Sequence, residues 1–133
     1  MSVNLRKMTS KEYDVFYEYS INNHASELMK EMDISFEDAL SQTEAEVQEM
    51  LPDGMNTKDN SLMVIEDIPG SRNVGSIWYL YEVTDGVQQI FLCDFVIDES
   101  ERKKGYATEA LSVMERNAIE YGCKVSVLFV AKE

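Results

Sequence analysis

Three strand-like segments follow one another in the middle of the chain, and this run most limits the folds that the chain can adopt. The segments are "SLMVIEDI" (Ser61–Ile68), "VGSIWYLYE" (Val74–Glu82) and "VQQIFLCDFVID" (Val87–Asp98). The turn "PGSRN" joins the first two, and "VTDG" joins the last two through the Asp-Gly pair typical of a hairpin. Because strands joined by short turns usually pair with each other, the run predicts an antiparallel meander.

Amphipathic helices and two further strands surround the meander. The predicted helices run from about Ser10 to Glu31, from Ser35 to about Leu51, and from about Gly105 to Tyr121, and the predicted strands are Val3–Met8 and Lys124–Val130. Thr9 and Glu12 have capping-box spacing before the first helix. The order β-α-α-β-β-β-α-β predicts one α/β domain over residues 1–133. Its sheet is mixed, because the last strand–helix–strand unit makes a parallel crossover.

The periodicity also predicts which side chains face inward. We expect the second helix to bury Phe36, Leu40, Val47 and Leu51, and the third helix to bury Ala107, Ala110, Leu111, Met114 and Ala118. "KVSVLFV" is apolar on both faces, which is typical of an interior strand.

The charge balance limits the partners. The formal net charge is -13, and nonspecific binding to nucleic acid or to anionic membranes needs positive patches, so we expect neither partner. An acidic surface favours cationic substrates such as amines. Cys93 and Cys123 form neither a disulfide framework nor a zinc motif, so we expect no metal, and we interpret Cys93 as a small buried residue. The N-terminal segment lacks an apolar signal region, which indicates a cytoplasmic protein.

A basic cluster lies where the third helix begins, in "RKKGYAT" (Arg102–Thr108). Cations there repel the positive end of the helix dipole, unless an anion lies between them. Gly105 would let a bulky anion approach the backbone N–H groups, and the basic side chains would bind it. The turn therefore predicts a phosphate or pyrophosphate site. A solvated basic helix start is the alternative, and a nucleotide site is disfavoured because neither GxxxxGK[ST] nor GxGxxG is present.

In this context the turn resembles the acyl-CoA signature of the GNAT acetyltransferases, Arg/Gln-x-x-Gly-x-Gly/Ala. Arg102-Lys103-Lys104-Gly105-Tyr106-Ala107 matches the signature, and the order of elements is similar to the family along the whole chain. The resemblance implies a GNAT-type mixed sheet with flanking helices, acetyl-CoA as co-substrate, and direct transfer of the acetyl group to a primary amine. The cofactor-binding residues that it implies are Phe95, Val96, Ile97, Arg102, Lys103, Lys104, Gly105, Tyr106, Ala107 and Thr108.

The resemblance also implies catalytic and acceptor positions. Asp94, just before the cofactor strand, is the best-placed candidate for the base that takes the amine proton. Tyr79, Tyr81 and Glu82 on the neighbouring strand, and His24 on the first helix, are candidates for the acceptor site. Each has a structural alternative: a hydrogen-bonded carboxylate for Asp94, sheet packing for the tyrosines, and an ordinary helix position for His24.

The chain ends at "LFVAKE", before the fourth helix, its general-acid tyrosine and the two further strands that the family usually has. We therefore expect a C-terminally truncated form of the fold. Its fifth strand would be uncovered and would favour a homodimer. The rival hypothesis is a catalytically silent CoA-binding or interaction module, and turnover with a panel of amines separates the two.

Overall fold

A computed structural model describes residues 2–69, 72–123 and 127–128 of the chain. The strands are β1 (Val3–Lys7), β2 (Asn60–Asp67), β3 (Arg72–Thr84), β4 (Val87–Ile97) and β5 (Val127–Leu128), and the helices are α1 (Ser10–Met32), α2 (Phe36–Met50) and α3 (Tyr106–Glu120). The predicted order of elements is confirmed. The rest of the predicted fifth strand, and with it the expected dimer edge, lies outside the described residues.

The chain divides into two compact units. A sheet unit contains Met1–Met8 and Asp59–Glu133, and a helical unit contains Thr9–Lys58. This division does not test the expectation of one domain over residues 1–133, which stays a prediction.

The sheet has the strand order β1-β2-β3-β4-β5. The first four strands pair antiparallel, as the meander predicted, and β5 pairs parallel with β4 through Val127–Ile90 and Leu128–Phe91. Asp85 (φ 53°) and Gly86 (φ 77°) form the turn between β3 and β4. Two consecutive positive φ angles are what a tight hairpin turn requires, and this explains the Asp-Gly pair.

A bulge in β4 decides which of its side chains enter the core. The register runs from Trp78–Asp94 to Tyr79–Leu92, so Cys93 has no partner of its own in β3. Because strand side chains alternate, one extra residue reverses the alternation beyond it. Leu92 is buried before the bulge, and Phe95 (4% exposed) is buried after it. Asp94 therefore shares the opposite face with its partner Trp78.

The core of the sheet unit lies between one face of the sheet and α3. Sheet residues such as Ile65, Ile77 and Ile90 pack there against helix residues, and all three are fully buried. The helix contributes Tyr106, Ala110, Met114 and Ala118. Ala110, Met114 and Ala118 confirm the predicted face. Tyr106, which the sequence interpretation assigned to cofactor binding, is a core residue at 5% exposure.

The helical unit consists of α1, α2 and the loop that follows. The capping box is confirmed, since Glu12 N–H donates to Thr9 Oγ1 (3.2 Å) and Thr9 N–H donates to Glu12 Oε1 (2.9 Å). The predicted face of α2 was wrong in part, because α2 buries Ala39, Thr43 and Val47 while Phe36 remains 37% exposed. Within this unit α1 and α2 pack against each other.

Candidate functional site

The turn between β4 and α3 encloses a small cavity. A short 3-10 turn (Glu99–Glu101) follows β4, Lys103 has a φ of 64°, and Gly105 (φ 90°) is the N-cap of α3. The cavity measures about 270 Å³ and is lined by Ile97, Glu101, Arg102, Lys103, Gly105, Tyr106, Ala107 and Thr108. The predicted phosphate-binding turn thus lies around one concave site, at the carboxyl end of a strand.

The start of α3 offers backbone donors to this cavity. The first helical hydrogen bond runs from Glu109 N–H to Gly105 O (3.2 Å), and Gly105 supplies no side-chain cap. The N–H groups of Tyr106, Ala107 and Thr108 precede that bond, so they have no acceptor within the helix. Donors of this kind, together with the helix dipole, favour an anion.

Two of the three basic side chains at the turn already have partners within the protein. Arg102 Nε donates to Ile97 O (3.0 Å), and Lys104 Nζ donates to Glu101 Oε1 (3.1 Å). The rest of the Arg102 guanidinium keeps its donors for an anion. Phosphate binding by Arg102, Lys103 and Lys104 stays a prediction. The Lys104 ammonium group would interact with a bound phosphate and with the Glu101 carboxylate at the same time.

An ion-pair network around the buried carboxylate of Glu101, which the sequence interpretation missed, lies beside the turn. Arg72 at the start of β3 donates to both carboxylate oxygens of Glu101, at 2.7 and 3.2 Å, and to Tyr106 Oη at 3.3 Å. Hydrogen bonds from Arg72 and Lys104 hold the pKa of the Glu101 carboxyl below its ordinary value. No local pattern could reveal this pair, because Arg72 and Glu101 are 29 residues apart in sequence.

The end of β4 presents backbone rather than side chains. Phe95 and Ile97 point into the core at 4% and 2% exposure, so any contact with a ligand would involve their main-chain groups. Cofactor binding by Phe95, Val96 and Ile97 stays a prediction. The Phe95 N–H donates to the Asp94 carboxylate (2.9 Å). Asp94 is half-buried and has a structural hydrogen bond, which is compatible with either of its predicted roles.

The acceptor candidates lie in different environments. Tyr79 is 2% exposed in the core of the sheet unit, so packing accounts for it. Tyr81 is half-buried and stacks on Tyr121, with ring centroids 4.1 Å apart, and burial raises its pKa above the ordinary value. Glu82 is exposed on β3, and His24 is half-buried on α1 in the helical unit. Substrate binding by these four residues stays a prediction.

Cys93, the bulge residue, has the properties of an unreactive thiol. Its Sγ lies 3.9 Å from Phe91 O, and burial, with repulsion from Asp94 and Glu82, raises its pKa to about 12. A thiol with this pKa is protonated at neutral pH, so it is a poor nucleophile. The interpretation of Cys93 as a small buried residue was wrong in part, because the bulge leaves this side chain only half-buried.

The helical unit has an acidic cavity of its own. It measures about 520 Å³, and Ile21 and Leu51 contribute apolar surface to its lining. The rings of Tyr13 and Tyr17, 6.0 Å apart, line it together with the carboxylates of Asp14 and Glu18, and no cationic side chain is among the lining residues of this unit. Aromatic faces and carboxylates are the groups that bind organic cations.

The described residues contain neither a metal-binding cluster nor a membrane-spanning helix. Within residues 2–69, 72–123 and 127–128, no group of three His, Cys, Asp or Glu side chains is arranged to hold a metal ion. No helix in the same residues is long and apolar enough to span a membrane.

Comparison with known proteins agrees with this geometry. The model of the acetyltransferase (GNAT) family matches residues 25–133. Two relatives are the uncharacterized N-acetyltransferases YdgE and YycN from Bacillus subtilis (strain 168). YdgE is 25% identical over 130 residues, which are 98% of this chain and 82% of that protein. YycN is 28% identical over 130 residues, which are 98% of this chain and 83% of that protein. The crystal structure of YycN superposes with a TM-score of 0.84 at 27% identity, covering 98% of this chain and 83% of that one. The chain belongs to the acetyltransferase (GNAT) family.

Proposed function

We propose that this acetyltransferase uses acetyl-CoA and transfers its acetyl group to a primary amine. The observation that carries the proposal is the cavity at the start of α3, where N–H groups without an acceptor in the helix lie beside Arg102, Lys103 and Gly105. Each of these groups binds anions, and together they fit a pyrophosphate. The formal net charge of -13 supports a cationic acceptor.

The residues of the chain then have separate roles. The turn holds the pyrophosphate, and main-chain groups of Phe95, Val96 and Ile97 pair with the extended arm that carries the acetyl group. When bound, acetyl-CoA would supply the thioester carbonyl that the amine attacks. The C–N bond forms, the C–S bond breaks, and CoA leaves as a thiolate that takes up a proton from water. We expect the Asp94 carboxylate to accept the proton that the amine loses.

Calorimetric titration with acetyl-CoA tests the proposal. We expect micromolar binding that weakens between low and moderate salt, because the interaction is carried by charges near the surface. An amine panel follows, with release of free CoA thiol as the readout. Binding without turnover on any amine would favour the rival hypothesis of a silent CoA-binding module, and no binding at millimolar acetyl-CoA would contradict both.

Replacing the candidate base gives a second test. We expect Asp94→Asn to lower kcat by about 100-fold, within the range that a general base contributes, while the affinity for acetyl-CoA is retained. The amide oxygen of asparagine can still accept the hydrogen bond from Phe95 N–H. Steady-state kinetics with Glu115→Gln on the exposed face of α3 serve as the control. Unchanged kcat in Asp94→Asn would identify the carboxylate as structural.

A further inference from the structure

We propose that Arg72 is a positioning residue for phosphate binding at the turn before α3. Glu101 is a buried carboxylate that lines the same cavity, and Arg72 neutralises it and holds it in place so that an anion can enter. This inference rests on the proposed function, because it concerns the same cavity. It adds a residue that lies outside the signature motif and on a different strand.

The first argument is electrostatic. Glu101 is 8% exposed and is among the residues around the cavity, so its negative charge lies where a phosphate is expected. An uncompensated carboxylate at such short range would repel that phosphate, and burial strengthens the repulsion because water screens it less. The site therefore needs a cation that masks Glu101.

The geometry supplies that cation. Arg72 Nη1 lies 2.7 Å from Glu101 Oε2, and Arg72 Nη2 lies 3.2 Å from Glu101 Oε1. This is the bidentate geometry that matches a carboxylate best. Lys104 Nζ adds a third bond at 3.1 Å. Lys104 is itself at the turn and would be drawn towards a bound anion, whereas Arg72 is anchored on β3. We therefore assign the masking role to Arg72.

The second argument concerns the backbone of the turn. Lys103 has a φ of 64° and Gly105 a φ of 90°, and the first of these is a conformation that side-chain-bearing residues rarely adopt. Such conformations persist where the surroundings hold them. Arg72 contacts both sides of the turn, Glu101 before it and the Tyr106 hydroxyl (3.3 Å) after it. Arg72 thus connects β3 to the residues on both sides of the turn.

The first part of the test is a pair of single substitutions. Arg72→Met should weaken binding of CoA and of inorganic pyrophosphate by about tenfold, because Lys104 alone then offsets the charge of Glu101. The affinities of Arg72→Lys should lie between those of Arg72→Met and the wild type, since lysine restores the charge without the bidentate contact. Asp67, whose Oδ2 lies 3.6 Å from Arg72 Nη2, also loses its cation in Arg72→Met, so circular dichroism and thermal unfolding should accompany each titration.

The decisive variant is Arg72→Met combined with Glu101→Gln. If Arg72 acts by masking Glu101, removing the carboxylate makes the arginine unnecessary, and affinity should return to within about threefold of the wild type. A general packing defect at Arg72 would not be rescued in this way. Arg6→Met is the matched control, because Arg6 pairs with Glu66 (3.0 Å) away from the cavity and its loss should leave both affinities unchanged.

Each outcome of the CoA and pyrophosphate titrations supports or overturns the role assigned to Arg72. Wild-type affinity in Arg72→Met, or a double variant that binds no better than Arg72→Met, overturns the assignment. If the wild type binds pyrophosphate but not CoA, the proposed function fails, and the same variants still test the masking role on pyrophosphate. If the wild type binds neither ligand, both proposals are overturned.

Discussion

Gly105→Val is expected to abolish measurable CoA binding, a loss of about 100-fold or more, while the chain remains folded. Gly105 has a φ of 90° at the N-cap of α3, where a β-branched side chain is strongly disfavoured. A valine would either fill the cavity or turn the first N–H groups of α3 away from it. Isothermal calorimetry with CoA measures the loss, and circular dichroism checks the fold.

The hairpin glycine provides the control for this substitution. Gly86 also has a positive φ (77°), and a Cβ atom there would meet no atom within 4 Å. Gly86→Val therefore carries similar backbone strain but lies away from the cavity at the start of α3. Its CoA affinity should match that of the wild type. Unchanged CoA affinity in Gly105→Val would contradict the location of the phosphate site.

Gly75→Ala is expected to lower the free energy of unfolding by about 3 kcal/mol, the upper range for overpacking. A Cβ atom on Gly75 would lie 2.2 Å from Val96 O and 3.1 Å from Ile97 Cα, and both are backbone atoms that cannot rotate away. The strands β3 and β4 must therefore separate at this point. Urea denaturation gives the change in stability from the midpoint and slope.

This substitution should also affect the cofactor strand. Val96 and Ile97 belong to the segment that we expect to bind the acetyl-bearing arm, so CoA affinity should fall together with stability. Gly86→Ala is the matched control, since its cost is limited to the positive φ, about 1 kcal/mol. Equal stability losses in Gly75→Ala and Gly86→Ala would show that β3 and β4 accommodate the methyl group.

The sequence by itself determined the order of the elements, and it indicated where the proposed anion site lies. The Asp85-Gly86 turn, the Thr9–Glu12 capping box and the meander of β2, β3 and β4 all depend on residues close together in the chain. The basic turn before α3 is local in the same sense, since the glycine, the cations and the helix start are consecutive. Interactions between residues that are close together in the chain produce sequence patterns that predict them.

Only the tertiary structure decided how these elements combine. The bulge at Cys93 reverses the alternation of β4, because one strand must fit the twist and register of its partner. Packing against the sheet placed Tyr106 in the core, and close packing of α2 selected Ala39 and Thr43 over Phe36. Arg72 reaches Glu101 only because the sheet brings the start of β3 beside the end of β4. Contacts between residues far apart in sequence depend on the complete fold, and no local pattern encodes them.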